Sequence, residues 1–134
     1  MIKHQRKLNL IANNQVLKSY QISLGRTPKG PKQYEGDRKT PEGLYFINDK
    51  NAQSGYHKNL GISYPNEVDK QHAESMHKSP GGLIKIHGIR NGFDWIGRFH
   101  LLFDWTLGCI ALTNKEMDEL FENVKIGMPI EIKP

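Results

Sequence analysis

Cysteine is almost missing from this chain, which has one, Cys109, in 134 residues. A single thiol excludes an internal disulfide, and with it any inference about the redox compartment from disulfide pairing. Long apolar runs are also missing, because no stretch approaches the ~20 apolar residues that a membrane-spanning helix needs. With 37% hydrophobic and 25% charged residues, the composition predicts one globular domain over residues 1–134 and no membrane partner.

Blocks of consecutive basic residues are missing as well, although the net charge is +5 at pH 7. A mild positive charge favours anionic partners. The densest basic cluster is the short "QRK" at residues 5–7, so we interpret the charge as a solvated surface. We expect no nucleic-acid partner, and we expect a monomer.

An export signal is not visible in the first ten residues, which are basic and contain no apolar segment. As written, the sequence therefore predicts a cytoplasmic protein. A signal preceding Met1 would instead predict a periplasmic one.

Alternating apolar residues and turn residues predict a mainly β fold with two short helices. Asn13 and Asn14 tolerate positive φ and predict a hairpin turn. Asn66 and Thr113 each have the side chain of a helix N-cap, and Glu116 completes a capping box with Thr113. The predicted strands cover residues 7–12, 15–24, 44–49, 60–64, 82–88, 109–112 and 128–134. The predicted helices cover residues 67–77 and 114–124, and a long loop covers residues 25–43.

The apolar positions of these elements predict what each one buries. Val16 should lie on the buried side of the second strand. Val68, His72 and Met76 should share one face of the first helix. In the second helix, the buried face should comprise Met117, Leu120, Phe121 and Val124.

Cys109 follows Gly108 and begins a strand, and two interpretations of it stand open. A lone cysteine is often a small core side chain. At a sheet rim, however, it lies next to backbone N–H groups that can stabilise an oxyanion, and a neighbouring base can activate it. His87, at a strand end before Gly88, suits such a base. The spacing of these residues does not decide between the two interpretations.

Residues 90–104, rich in aromatics, Gly and Arg, lie between His87 and the cysteine turn. We interpret this segment as an irregular mobile lid over the site, with Gly92 and Gly97 as hinges. Of Trp95 and Trp105, we expect one in the core and one stacked on a ligand.

Metal and phosphate sites are not predicted. His72 and His77 are five residues apart, which is the wrong spacing for two ligands on one helical face. We interpret both as exposed helix residues, with packing of His72 as the alternative. The glycines of the 25–43 loop do not match the spacing of a phosphate loop. We expect no metal and no cofactor.

The motif "IHG…DWTLGCIALTN" resembles the catalytic signature of the L,D-transpeptidase catalytic domain of the YkuD type. That signature has His-Gly at a strand end, a variable stretch, and then Ser/Thr-x-Gly-Cys, which matches here at His87, Gly88, Thr106, Gly108 and Cys109. Further matching segments are "GDRKTPEGLYFI", "ISYPN" and "IGMPIEI". The resemblance implies a YkuD-like β-sandwich fold and catalysis.

By this resemblance Cys109 is the nucleophile and His87 the general base, oriented by the carbonyl of Gly88. The N–H groups of Gly108 and Cys109 would hold the oxyanion, and Thr106 would hold the turn or touch His87. Many members of the family have Arg or Asn two residues after the cysteine, where this chain has Ala111. Substrate contacts would then fall to Arg90, Arg98, Asn114 and Trp95, together with Thr106.

The implied reaction is cleavage of the diaminopimelate–D-Ala bond in a peptidoglycan tetrapeptide or muropeptide through a thioester. An amine acceptor makes this an L,D-transpeptidase and water makes it an L,D-carboxypeptidase. Carbapenems are possible inhibitors. A cytoplasmic location would favour the carboxypeptidase, and a periplasmic one the transpeptidase. The alternative is a non-catalytic basic β-rich module that binds cell-wall or other anionic polymer, with Cys109 buried.

Overall fold

The computed structural model describes all 134 residues, and strands dominate it, as predicted. In chain order the elements are β1 (Lys7–Ala12), β2 (Gln15–Gln21), β3 (Gly43–Ser54), β4 (His57–Ile62), α1 (Glu67–Ser75), β5 (Lys85–His87), a 3-10 helix (Asp94–Leu102), β6 (Ile110–Ala111), α2 (Asn114–Asn123) and β7 (Pro129–Ile132).

Membrane-spanning helices are absent, since none of the helices is both long and apolar enough to cross a bilayer.

Five strands form one sheet in the order β6-β5-β4-β3-β7, in which only β5 and β6 run parallel. Strands β1 and β2 form a separate hairpin. Its turn residues Asn13 and Asn14 both have positive φ, which confirms the predicted hairpin turn. After β2 the chain forms isolated bridges to Ala111 and Thr106, and these bridges join the hairpin to the β6 edge of the sheet.

The core is one cluster of 18 buried apolar side chains drawn from the hairpin, the large sheet and α2. Met117, Leu120 and Val124 are buried and Phe121 packs partly against them, which confirms the predicted face of α2. Thr113 caps this helix by accepting from the backbone N–H of Glu116 at 3.3 Å.

The predicted face of α1 is not a buried one, and the predicted burial of Val16 on β2 is wrong. On α1, Val68 is 73% exposed, Met76 is also exposed, and only Ala73 is buried, because this helix lies on the surface with one small side chain inward. His72 and His77 are exposed, which confirms the interpretation of both as exposed residues. On β2, Val16 is exposed, because the turn end of the hairpin is exposed on both faces.

Several element boundaries also differ from the prediction. Strand β3 extends to Ser54 and forms with β4 a hairpin that the sequence did not predict. Strand β5 is shorter than predicted because Leu83 has a φ of 57°, outside the extended region. The lid contains a 3-10 helix, interrupted at Gly97 with φ 52° and ψ −131°, where we expected irregular chain.

Candidate active site

The parallel pair β5–β6 brings the two predicted reactive residues to one cavity. Ile86 lies opposite Ile110 in the register, and both are buried in the core. Because side chains alternate along a strand, His87 and Cys109 project from the opposite face. Both line a cavity of about 670 Å³.

The ring of His87 is held rigidly. Its Nδ1 lies 2.6 Å from the carbonyl oxygen of Gly88. A carbonyl only accepts hydrogen bonds, so Nδ1 carries the hydrogen and the lone pair of the neutral ring is on Nε2. The rings of Tyr56 and Trp105 pack against it at centroid distances of 4.7 and 5.7 Å. Burial lowers the pKa of His87, while the Gly88 hydrogen bond acts in the opposite direction, so the imidazole is neutral and can accept a proton.

Gly88 is fixed in a space that admits no side chain. A Cβ there would lie 2.6 Å from Oδ1 of Asn114 and 2.9 Å from Cβ of His57. The same Asn114 Oδ1 accepts from the backbone N–H of Ile89 at 2.8 Å. Asn114, predicted to contact substrate, is therefore outside the cavity lining and instead holds the backbone that orients His87.

Cys109 is half-buried in the cavity wall and does not belong to the core cluster. Its thiol donates to the carbonyl of Leu83 at 3.5 Å and does not hydrogen-bond to His87. Burial raises the pKa of the Cys109 thiol, and the backbone N–H and charge of Lys85 act in the opposite direction. The resting pair is therefore a neutral thiol and a neutral imidazole.

The hydroxyl of Thr106 closes the cysteine turn. It donates to the carbonyl of Cys109 at 2.7 Å and accepts from the N–H of Gly108 at 3.1 Å. Gly108 has a φ of 135°, and a Cβ there would lie 2.8 Å from the carbonyl oxygen of Lys39, so only glycine fits.

This geometry corrects the predicted oxyanion site. The N–H of Gly108 is already engaged by the Thr106 hydroxyl, because that hydroxyl lies inside the turn. The N–H of Cys109 makes no hydrogen bond within the protein, so one of the two predicted donors is available.

The 25–43 loop supports this turn from beneath. The hydroxyl of Thr40 donates to the carbonyl of Gly108 at 2.9 Å and lies 3.3 Å from the N–H of Gly25. The loop is itself held by a buried ion pair, in which Nζ of Lys32 lies 2.9 Å from Oδ1 of Asp37. The position of the cysteine therefore depends on a loop about 70 residues earlier in the chain.

Three cationic side chains line the cavity, Arg26, Lys85 and Arg90, and no carboxylate does. Arg90 was predicted to contact substrate and lies here. Arg26 was missed, because its place beside the site results from a backbone hydrogen bond to Thr106 that no local pattern reveals.

Two further predicted contacts are not brought to the cavity. Arg98 is exposed and pairs with Glu116 at 3.4 Å. Trp95 is 78% exposed. A 3-10 helix has three residues per turn, so Phe93 and Ile96 share the cavity-facing side and Trp95 does not. Trp105 lines the cavity, so neither tryptophan is in the core and that expectation is wrong.

His100 is a polar residue of the lid that the sequence analysis did not single out. It is buried, lines the cavity and accepts at Nδ1 from the indole N–H of Trp105 at 3.2 Å. Burial, with smaller contributions from His87 and Arg98, lowers its pKa to about 4. No group of three or more His, Cys, Asp or Glu side chains is placed to hold a metal ion.

Comparison with known proteins adds an independent finding. Residues 2–132 match the YkuD family model, described as the L,D-transpeptidase catalytic domain. A curated Escherichia coli (strain K12) protein, "Putative L,D-transpeptidase YafK", is 33% identical over 130 residues. The match covers 92% of this chain and 45% of that protein, so the chain spans about half the length of the relative.

Solved structures share the fold. The helical cell shape determining protein Pgp2 from Campylobacter jejuni superposes with a TM-score of 0.72 at 26% identity, over 99% of this chain and 46% of that one. The L,D-transpeptidase LdtMt1, solved in complex with imipenem, gives a TM-score of 0.61 at 17% identity, over 98% and 56%. At that identity the second likeness concerns the fold alone.

Proposed function

The chain belongs to the L,D-transpeptidase catalytic domain family, and from that premise we propose that it is a cysteine acyltransferase acting on peptidoglycan stem peptides. It cleaves the diaminopimelate–D-Ala bond of a tetrapeptide through a thioester at Cys109. The main support is that His87, on β5, and Cys109, directly before the adjacent parallel strand β6, line one cavity.

The first half-reaction begins when the thiol hydrogen turns from Leu83 to Nε2 of His87. As His87 takes this proton, Sγ attacks the carbonyl carbon of the scissile bond. The N–H of Cys109 donates to the oxyanion that forms. The C–N bond then breaks, the amine of D-Ala takes the proton from His87, and a thioester remains on Cys109.

The second half-reaction regenerates the thiol. Water or an amine attacks the thioester carbonyl while His87 accepts its proton, and the C–S bond breaks as the sulfur is reprotonated. Water yields a tripeptide and an amine yields a cross-linked dimer. The acceptor that enters after D-Ala leaves therefore decides between L,D-carboxypeptidase and L,D-transpeptidase.

The charge of the cavity supports an anionic peptide as substrate. Arg26, Lys85 and Arg90 line it without any carboxylate, and the stem peptide carries carboxylates on diaminopimelate and D-Ala. With Ala111 in place of the usual Arg or Asn, Arg26 and Arg90 take over recognition of the acyl donor's carboxylates.

Purified tetrapeptide muropeptide provides the test. Wild type should release D-Ala, and the ratio of tripeptide to dimer identifies the acceptor. Cys109→Ala and His87→Ala should each lower kcat at least ~10³-fold, and the double variant should lose little more, because nucleophile and base act as a unit. His72→Ala, on the exposed face of α1, is the matched control. Substantial turnover by folded Cys109→Ala would refute the assignment.

Mass spectrometry separates this enzyme from the polymer-binding module. Iodoacetamide or imipenem should each leave one adduct on Cys109. The half-buried position of Cys109 in the cavity wall favours the enzyme. A folded protein with an unreactive Cys109 would favour the module.

A further inference from the structure

His100 is a buried histidine of the lid that the mechanism above does not use. It is 4% exposed and lines the cavity. Its Nδ1 accepts from the indole N–H of Trp105 at 3.2 Å, and its backbone carbonyl accepts from the Ser23 hydroxyl at 2.9 Å. A neutral imidazole has a single hydrogen, so the Trp105 bond places that hydrogen on Nε2.

The Nε2 atom of His100 is buried and has no hydrogen-bond partner in the protein; it is the one buried side-chain polar atom in the chain so placed. Buried donors are almost always paired, because an unpaired one has lost its hydration without compensation. The bonds through Trp105 and Ser23 already fix the residue, so the fold does not need this second donor.

His100 stands beside the reactive centre. The ring of Trp105 packs against both imidazoles, with its centroid 5.7 Å from that of His87 and 6.1 Å from that of His100. One indole therefore contacts both the proposed base and the residue with the unpaired donor, within the wall of one cavity.

We propose that the Nε2–H of His100 is a substrate-binding donor that hydrogen-bonds to a peptide carbonyl oxygen of the bound stem peptide. This inference rests on the proposed function. Because Nε2 is buried, the bond forms as the lid, which carries His100, adjusts around the peptide. A neutral carbonyl suits this position better than a carboxylate, because burying a charged group away from water costs more free energy than burying a neutral one. The carboxylates of the peptide can instead pair with the cationic side chains that line the cavity.

Paired substitutions test the role of the donor. His100→Leu should raise KM for the tetrapeptide about tenfold or more and leave the rate of Cys109 alkylation by iodoacetamide within about twofold of wild type. His100→Gln retains an N–H near the position of Nε2 and should recover most of the loss. Unchanged KM in His100→Leu, or a His100→Gln as impaired as His100→Leu, would overturn the inference.

An NMR measurement on a protein that retains His100 provides a second test, which does not depend on whether the His100 variants fold. In Cys109→Ala, which binds without turnover, saturating tetrapeptide should shift the His100 Nε2 proton downfield while its pKa stays low. A proton already hydrogen-bonded before the peptide is added, no shift at saturation, or a raised pKa that indicates a carboxylate partner would each overturn the inference. A wild type that neither binds nor cleaves the tetrapeptide would instead refute the proposed function, and this inference with it.

Discussion

At the scale of single residues, the hydroxyl of Thr106 holds the backbone of the cysteine turn. It donates to the carbonyl of Cys109 and accepts from the N–H of Gly108. The first bond fixes the backbone that carries the nucleophile. The second removes one candidate oxyanion donor, so the remaining donor at Cys109 must be placed accurately.

Thr106→Val should therefore lower kcat about tenfold to a hundredfold, because small displacements of a nucleophile have large effects on rate. The free energy of unfolding should fall by about 1–3 kcal/mol, because the buried partners lose their bonds. Thr106→Ser should restore both quantities, and Thr27→Val, at an exposed threonine, should change neither. Wild-type kcat in Thr106→Val would contradict this role.

At the scale of elements, the 25–43 loop supports the cysteine turn through Thr40, although it contains no helix and only its last residue, Gly43, belongs to a strand. The carboxylate of Asp37 accepts from Lys32 and from the backbone N–H groups of Gln33, Tyr34 and Lys39. Burial acts to raise the pKa of Asp37, but these hydrogen bonds prevail and lower it. The loop is therefore ordered by the hydrogen bonds of one carboxylate and not by the backbone hydrogen bonds of a regular strand or helix.

Asp37→Asn should reduce the free energy of unfolding by about 3–5 kcal/mol, because it leaves the Lys32 ammonium buried without a counter-charge. Urea unfolding measures this loss. Glu67→Gln removes an exposed partner of Lys70 and should cost under 1 kcal/mol, as surface pairs do. Equal effects of the two variants would show that Asp37 does not organise the loop.

The lid is the element that we expect to respond to substrate. Its 3-10 helix is interrupted at Gly97, and Phe93 and Ile96 cover the cavity. Its C-terminal end is anchored by Asp104, which accepts from Arg6 at 2.7 Å.

Hydrogen exchange of residues 90–104 should therefore slow when Cys109 is acylated, because the lid then packs on the acyl group. The α2 segment, which packs in the core, should keep its rate and serves as the internal control. Equally strong protection of residues 90–104 in the free and acylated protein would contradict a lid.

At the scale of the whole molecule, two buried histidines make folding depend on pH. Burial lowers the pKa of both His87 and His100, the latter to about 4. As the pH falls from 6.5 to 5, the unfolded chain binds protons at these residues more readily than the folded chain does. Stability is therefore present above the unfolded pKa of about 6.5 and is lost as the pH falls through this range.

Urea unfolding at pH 6.5 and pH 5 should show this loss of stability. His100→Gln should reduce the pH dependence, and His72→Gln, at an exposed histidine of α1, should retain all of it. A wild-type stability that does not fall between the two pH values would contradict the buried neutral state of both rings.

The sequence by itself determined the features whose causes lie within about ten residues. The Asn13-Asn14 turn and the capped, apolar face of α2 follow from positive φ and helical periodicity. The His-Gly and Thr-x-Gly-Cys motifs are each only a few residues long, and their resemblance to the family was visible without the structure.

Tertiary structure decided which side chains surround those motifs. Arg26 reaches the site through Thr106, 80 positions later, and Asn114, which does not line the cavity, supports the backbone after Gly88. The unpaired Nε2 of His100 and the occupied N–H of Gly108 also arise there. Such contacts depend on strand pairing and loop packing between distant segments, and local propensities do not encode which distant groups remain free.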